Sequence, residues 1–253
     1  MSAANRSLVQ TWEAVWRTDD VDAAHRDVLT DAASSNTMMF RPYVERALQH
    51  YDRPAVLEAG CGLGQWLHYA LSRTGGTAIG LDLAEGTLER ISKSIALASA
   101  VASGRLVVLP GDMRAIPLAD RSVDLVFSFG VIEHVRDRDS AVSVREFARV
   151  MRPGARLLLS TPNLWCAHTL TRPLARLAGR WKVGFERSIS PRRLAHYCRL
   201  AGLVVEERGV MESGMLFGET LARAVPALES VSRKVERRQP TLGFMSYVLA
   251  RKD

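Results

Sequence analysis

The chain has 253 residues, 47% apolar and 24% charged, the balance of a folded globular protein and not of a disordered one. No run approaches the roughly 18 apolar residues that a membrane span needs, no apolar stretch of signal-peptide length follows the first residues, and a cytoplasmic setting is expected. Cys61, Cys166 and Cys198 are scattered without disulfide-framework or zinc-site spacing, so no metal is expected, while the net charge of +7 fits either an acidic partner or an arginine-rich solvated surface.

Residues 7–50 read as helical, because Trp12, Val15 and Trp16 fall at helical spacing and Met38, Met39, Tyr43, Ala47 and Leu48 repeat it before Pro54. Residues 1–53 are thus expected to form an N-terminal helical cap. A short apolar run at 55–57 ends at an acid and a glycine turn and reads as a buried strand. Then come a helix over 63–72, a strand over 77–81, a helix over 84–102, and strands over 105–110 and 122–128. The helix at 140–151 is closed by Arg152-Pro153-Gly154, and a fifth strand follows at 156–161. A helix at 190–201 stops at Gly202, before strands at 203–205 and 244–250. This rhythm makes β-α-β units and a parallel sheet covered on both faces. It predicts one domain over 1–253 with its core at 54–161, interrupted by insertions at 163–189 and 211–240.

The first strand runs into Glu58-Ala59-Gly60-Cys61-Gly62-Leu63-Gly64. Glycine lets the backbone turn sharply and lets a ligand approach the main chain where a Cβ would clash. The carboxyl end of a central strand is also where open α/β sheets bind ligands. A dinucleotide fingerprint would place its third glycine at position 65, which is Gln65, and there is no G-x-x-x-x-G-K-[ST] phosphate loop. Asp82, after Gly80-Leu81, is placed to accept from both hydroxyls of a ribose, or to cap the helix that opens at Ala84. Asp112, in Pro110-Gly111-Asp112-Met113, is placed to accept from an adenine amine with Met113 packed on the ring, or to serve as a turn residue.

In their order and spacing over about 55–161, these segments resemble the class I S-adenosylmethionine-dependent methyltransferases of the small-molecule branch. The matching residues are Val56 through Gly64, Leu81-Asp82, Gly111-Asp112-Met113, Val123 through Ser128, Val131-Ile132-Glu133-His134-Val135 and Met151-Arg152-Pro153-Gly154-Ala155. The resemblance implies a Rossmann-like α/β fold: a doubly wound seven-stranded sheet, last strand antiparallel, with N-terminal helices and two insertions. It implies S-adenosyl-L-methionine as cofactor, with Gly60, Cys61, Gly62 and Gly64 under the methionine portion and Glu58 orienting the loop and the methionine amine. Asp82 and Leu83 are then expected at the ribose, Asp112 and Met113 at the adenine, and Phe129 and Gly130 along the sulfonium. Arg41, on the helix before the first strand, is either a further ligand for the cofactor carboxylate or a surface arginine.

Methyl transfer from a sulfonium is an in-line displacement whose barrier falls mainly through alignment, and a base is needed only where the acceptor loses a proton. His134 and Glu133 are the catalytic candidates, His134 as base; a structural pair tying the helix start to the loop is the alternative. In the first insertion Leu170, Leu174, Leu177 and Trp181 fall on one helical stripe, and Arg172, Arg176 and Arg180 on the opposite one. Such a helix reads as a membrane-surface element, with peripheral contact through 164–187, or as a lid whose apolar stripe packs over the pocket. Its position is similar to that of the membrane-associating insertion in the ubiquinone-pathway O-methyltransferases, which share the Glu-His pair. Their preceding paired acid is Val131-Ile132 here, so the resemblance does not extend to a metal role. The expected partner is a small-molecule acceptor, with oxygen favoured. Nucleic acid is not expected, because Ser128-Phe129-Gly130-Val131 stands where exocyclic-amine methylases carry [DN]-P-P-[FYW]. A non-catalytic scaffold on the same fold is the remaining alternative.

Overall fold

The computed structural model describes residues 3–17, 19–30, 35–179, 181, 183–211, 225, 227–239 and 241–253. Seven strands form one sheet: β1 (Ala55–Ala59), β2 (Thr77–Asp82), β3 (Leu106–Pro110), β4 (Val123–Phe129), β5 (Met151–Pro162), β6 (Leu203–Met211) and β7 (Met245–Lys252). Their order is β3-β2-β1-β4-β5-β7-β6. Strands β1 to β5 pair in parallel, and β7 runs antiparallel to both β5 and β6. The doubly wound sheet with an antiparallel last strand is the architecture that the sequence resemblance implies.

Strands covered on both faces must be apolar on both, and the alternation sorts them here. Leu57, Val126, Leu157 and Leu159 belong to a buried cluster with Phe147 of α7 (Asp137–Val150) and Tyr197 of α9 (Pro191–Leu200). Val56, Leu125, Phe127 and Leu158 belong to another, with Phe40 and Val44 of α3 (Ser35–Leu48) and Trp66 and Tyr69 of α4 (Gln65–Arg73).

Several boundaries differ from the sequence expectation, each for a local reason. The N-terminal helical stretch is three helices, α1 (Ala3–Trp16), α2 (Val21–Leu29) and α3. Asp20 starts α2 by accepting from Ala23 N at 3.0 Å, the work of an N-cap. The helix expected over 84–102 is broken into α5 (Glu85–Ser92), a 310 turn at Ile95–Leu97 and α6 (Ala98–Ala102). The break falls at Ser94, whose backbone is extended and whose hydroxyl donates to Asp22 at 2.6 Å while meeting His25 Nδ1 at 2.9 Å. A tertiary contact to α2 therefore outweighs local helix propensity. The helix expected over 140–151 with Arg152-Pro153-Gly154 as its stop is α7, which already ends at Val150; β5 begins at Met151 and includes those three residues. The ladder jumps from Val123↔Met151 to Leu125↔Arg156, and Gly154 takes up the irregularity at φ 82°.

The insertions carry α8 (Ala167–Leu177) and α10 (Ala227–Arg238), whereas 212–224 and the side chains of Leu170 and Arg180 lie outside the described residues. The lid, one of the two readings of α8, is not met at Leu174 and Leu177, which are 67% and 86% exposed, whereas Arg172 turns inward and pairs with the buried Glu186 at 3.0 Å. A buried carboxylate needs a charged partner more than the helix needs to cover two leucines.

Phe147 is fully buried between α7 and the sheet. Phe147→Ala is expected to cost about 3–5 kcal/mol of stability, read as a lower urea midpoint with unchanged slope.

Candidate active site

The floor of the site is the turn after β1. Gly60, Gly62 and Gly64 hold φ of 78°, 48° and 72°, a region in which side-chain-bearing residues are strained. The turn is strapped to the neighbouring strand, since Gly60 N and Cys61 N both donate to Leu81 O, at 2.7 and 3.1 Å. Space as well as conformation demands glycine at position 60, where a Cβ would stand 2.4 Å from Val131 Cγ2. At the end of β2, Asp82 accepts from Gly62 N through Oδ2 at 2.9 Å and from Ala84 N through Oδ1 at 3.0 Å. Burial pushes its pKa up, and these N–H donors partly offset the push. Asp82 is not the N-cap of α5, which is Ala84; its carboxylate closes a short turn onto Ala84 N and borders the cavity.

That cavity, of about 190 Å3, opens at the carboxyl edge of the sheet. Of the residues singled out from the sequence, Gly60, Gly62, Asp82, Leu83, Asp112, Met113, Phe129, Gly130 and His134 all line it. Glu58, Cys61, Gly64, Glu133 and Arg41 do not. Glu58 is buried behind the turn, where its carboxylate accepts from the Leu67 main-chain N–H in the first turn of α4, and burial pushes its carboxyl well above the usual range. Cys61 is buried, which raises its thiol pKa in the same way. Gly64 sits at the start of α4. Glu133 is buried in a 310 turn, Ile132–His134, beside the wall. The reading of Arg41 as a cofactor ligand is not met by the geometry: its Nη2 donates to Val28 O at 2.8 Å and to Thr30 O. It satisfies carbonyls left open at the end of α2, a need that every helix C-terminus has.

The structure adds residues that were not picked out from the sequence. Leu8, Trp12 and Trp16 of α1 roof the cavity, the two indoles stacked with centroids 5.8 Å apart. Trp12 also meets the His134 ring edge-on at 4.8 Å. Their spacing of four announces a helix face but not the surface that it covers. Arg114 is the second addition. It forks onto Asp112, with Nε 2.9 Å from Oδ1 and Nη2 2.5 Å from Oδ2, and reaches Asp139 at 3.5 Å.

His134 is the one imidazole among the described residues that line the cavity. Its Nδ1 lies 2.8 Å from the Phe185 carbonyl, which only accepts, so Nδ1 bears the hydrogen and Nε2 carries the lone pair of the neutral ring. Burial lowers the pKa of the ring, partly offset by that carbonyl and by Glu186. Burial pushes the Glu133 carboxyl well up, and its Oε1 lies 3.9 Å from Nε2. Among the described residues, no group of three or more His, Cys, Asp or Glu could hold a metal ion.

A glycine floor without Cβ atoms, acids at the ends of β2 and β3, and a thioether beside the second acid fit a nucleoside joined to an amino acid through a sulfonium. Sheet order and site together define a class I S-adenosylmethionine-dependent methyltransferase domain. Residues 57–159 match the family described as "Methyltransferase domain". The chain is 42% identical over 114 residues to the malonyl-[acyl-carrier protein] O-methyltransferase of Yersinia pestis, covering 45% of the chain and 38% of that protein. It is 31% identical over 199 residues to the enzyme of the same description from Erwinia pyrifoliae, covering 76% and 65%. The chain therefore spans less than two thirds of either relative. In fold it is similar to geranyl diphosphate C-methyltransferase from Streptomyces coelicolor A3(2), solved with Mg2+, geranyl diphosphate and S-adenosyl-L-homocysteine. That match has a TM-score of 0.67 at 14% identity and covers 100% and 98% of the two chains.

Gly60→Ala forces a Cβ into Val131 and a strained φ, and is expected to weaken S-adenosylmethionine binding at least tenfold, or ~1.4 kcal/mol, in calorimetry. Asp82→Ala leaves Gly62 N and Ala84 N unsatisfied, and is expected to cost about 1–3 kcal/mol of stability in thermal unfolding as well as affinity for the cofactor.

Proposed function

We propose that the chain transfers the methyl group of S-adenosylmethionine to the hydroxyl of a small, largely apolar acceptor, with His134 as general base. The observation that carries this reading is the lone pair on His134 Nε2, fixed by the Phe185 carbonyl, in a side chain that shares one cavity with Gly60, Gly62 and Asp82. The bound cofactor supplies an activated methyl group on a sulfonium, and the chain's residues do the rest. The glycine turn with Asp82, and Asp112 with Met113, would hold the two ends of the cofactor in the cavity that His134 also lines. Leu8, Trp12, Val131 and Val135 make the wall there apolar and aromatic, which excludes water and suits an acceptor without fixed charge. Nε2 takes the proton of the acceptor hydroxyl as the new bond forms. Oxygen as the acceptor atom is supported by the O-methyltransferases of Yersinia and Erwinia; the C-methyltransferase neighbour shares the fold alone.

A second reading concerns location. An apolar stripe in solvent next to the exposed Arg176 suits the surface of an anionic membrane, and we propose peripheral contact through α8. No helix among the described residues is long and apolar enough to cross a membrane. Flotation with anionic liposomes, abolished by Leu174→Asp with Leu177→Asp, is the expected result; flotation indifferent to both substitutions would discard the reading.

The function is tested by following labelled methyl transfer from S-adenosylmethionine to matched hydroxyl, amine and RNA acceptors. Turnover on hydroxyl compounds is expected. Failure to bind S-adenosylmethionine in calorimetry would instead leave a scaffold, and salt-sensitive turnover on RNA would move the chain to the nucleic-acid enzymes. His134→Gln is expected to lower kcat by about 10²–10⁴ with cofactor affinity retained. The lowered pKa of His134 keeps the base form present at neutral pH, so kcat/KM is expected to be flat there and to fall on acidification, with its midpoint below the ordinary histidine value of 6.5.

A further inference from the structure

Residues 185–189 form a strap that crosses from the α8 insertion to α9 and lies along the 310 turn carrying His134. Arg187 fastens it there. The Arg187 main-chain N donates to Glu133 O at 3.1 Å, Nε to Val135 O at 3.0 Å, Nη1 to Asp137 at 3.0 Å and Nη2 to Ser140 Oγ at 2.6 Å. Ser140 passes the restraint on, because its hydroxyl donates to Ile132 O at 2.7 Å. One guanidinium thus holds both ends of the turn, at Ile132 through Ser140 and at Val135 directly. The far side of the strap is anchored too, with Ile189 N donating to Pro162 O at 3.0 Å and Glu186 paired with Arg172. Two residues before Arg187, the Phe185 carbonyl receives the His134 Nδ1 hydrogen.

We infer that Arg187 is a positioning residue for the methyl-transfer base: by fixing the strap to the turn it keeps the Phe185 carbonyl on Nδ1 and leaves Nε2 as the nitrogen that accepts. The inference rests on His134 being the base. A neutral imidazole has two tautomers, and the hydrogen bond made by one nitrogen decides what the other can do. With its hydrogen on Nε2, the ring would have no lone pair to offer an acceptor hydroxyl. Around the ring stand Trp12 from α1, Glu133 on the same turn, and Glu186 and the Phe185 carbonyl from the strap. Glu186 is neutralised by Arg172, and Arg187 is itself paired with Asp137. The Phe185 carbonyl is thereby the group that selects the tautomer, and it is positioned only as well as the strap is.

The protein labelled with 15N-histidine tests this, with the His134 ring signals identified by their loss in His134→Gln. In the unsubstituted protein above the titration of His134, the spectrum is expected to show a protonated Nδ1 and a bare Nε2. Arg187→Ala is expected to bring in the Nε2-protonated pattern and to lower kcat on the order of 10–100-fold, with cofactor Kd and acceptor KM within about twofold. Arg187→Lys restores one donor of the fork, and Ser140→Ala removes one anchor. Both should fall between the extremes on the same two readouts, and they carry the test if Arg187→Ala does not fold. A folded Arg187→Ala protein in which His134 keeps its hydrogen wholly on Nδ1 would overturn the inference. A shifted tautomer with undiminished turnover would uphold the positioning and overturn the assignment of His134 as base.

Discussion

Asp82 accepts two main-chain N–H groups that belong to different parts of the fold. One comes from Gly62, in the turn between β1 and α4; the other comes from Ala84, where α5 is about to begin. With Leu81 O receiving Gly60 N and Cys61 N, the ends of β1 and β2 are locked to one another at the level of the cavity floor. Everything else at the site is measured from that joint. Asp112 lies one strand farther along the same edge and His134 beyond β4 on the other side, so the distance between Asp112 and His134 is set by strand spacing. A parallel sheet supplies this ruler without further design, because its strands present their carboxyl ends side by side.

Carboxyl groups near the site fall into two kinds. Asp82 and Asp112 border the cavity and are partnered, by main-chain N–H groups in the first case and by the Arg114 fork in the second. Glu58 and Glu133 lie behind the wall, where burial pushes their pKa values up and so disfavours the charged forms.

The strands and the glycine turn were legible in the sequence because each imposes a local demand. A strand buried on both faces must be an unbroken apolar run, as at Leu125-Val126-Phe127, and a positive φ selects glycine at positions 60, 62 and 64. Partners distant in sequence left no such mark. Leu8, Trp12 and Trp16 state that α1 has an apolar face, but not that a cavity lies beneath it. Arg41, Arg114, Arg172 and Arg187 are alike as letters, yet one closes a helix end, one forks an aspartate in the cavity wall, one neutralises a buried glutamate and one pins a strap. The stripe on α8 was readable as a stripe, and its direction was not. That direction was decided by Glu186, fourteen residues from Arg172.

Helix α1 is tied to α5 as well as to the cavity. Glu13 receives Gly86 N at 3.2 Å and Arg90 donates to the carbonyls of Trp16 and Asp19, while Leu8, Trp12 and Trp16 line the same cavity as Gly60 and Gly62. A ligand seated on the glycine floor would therefore meet the first helix and the first turn together, and its binding would reinforce the contacts that hold α1 on α5.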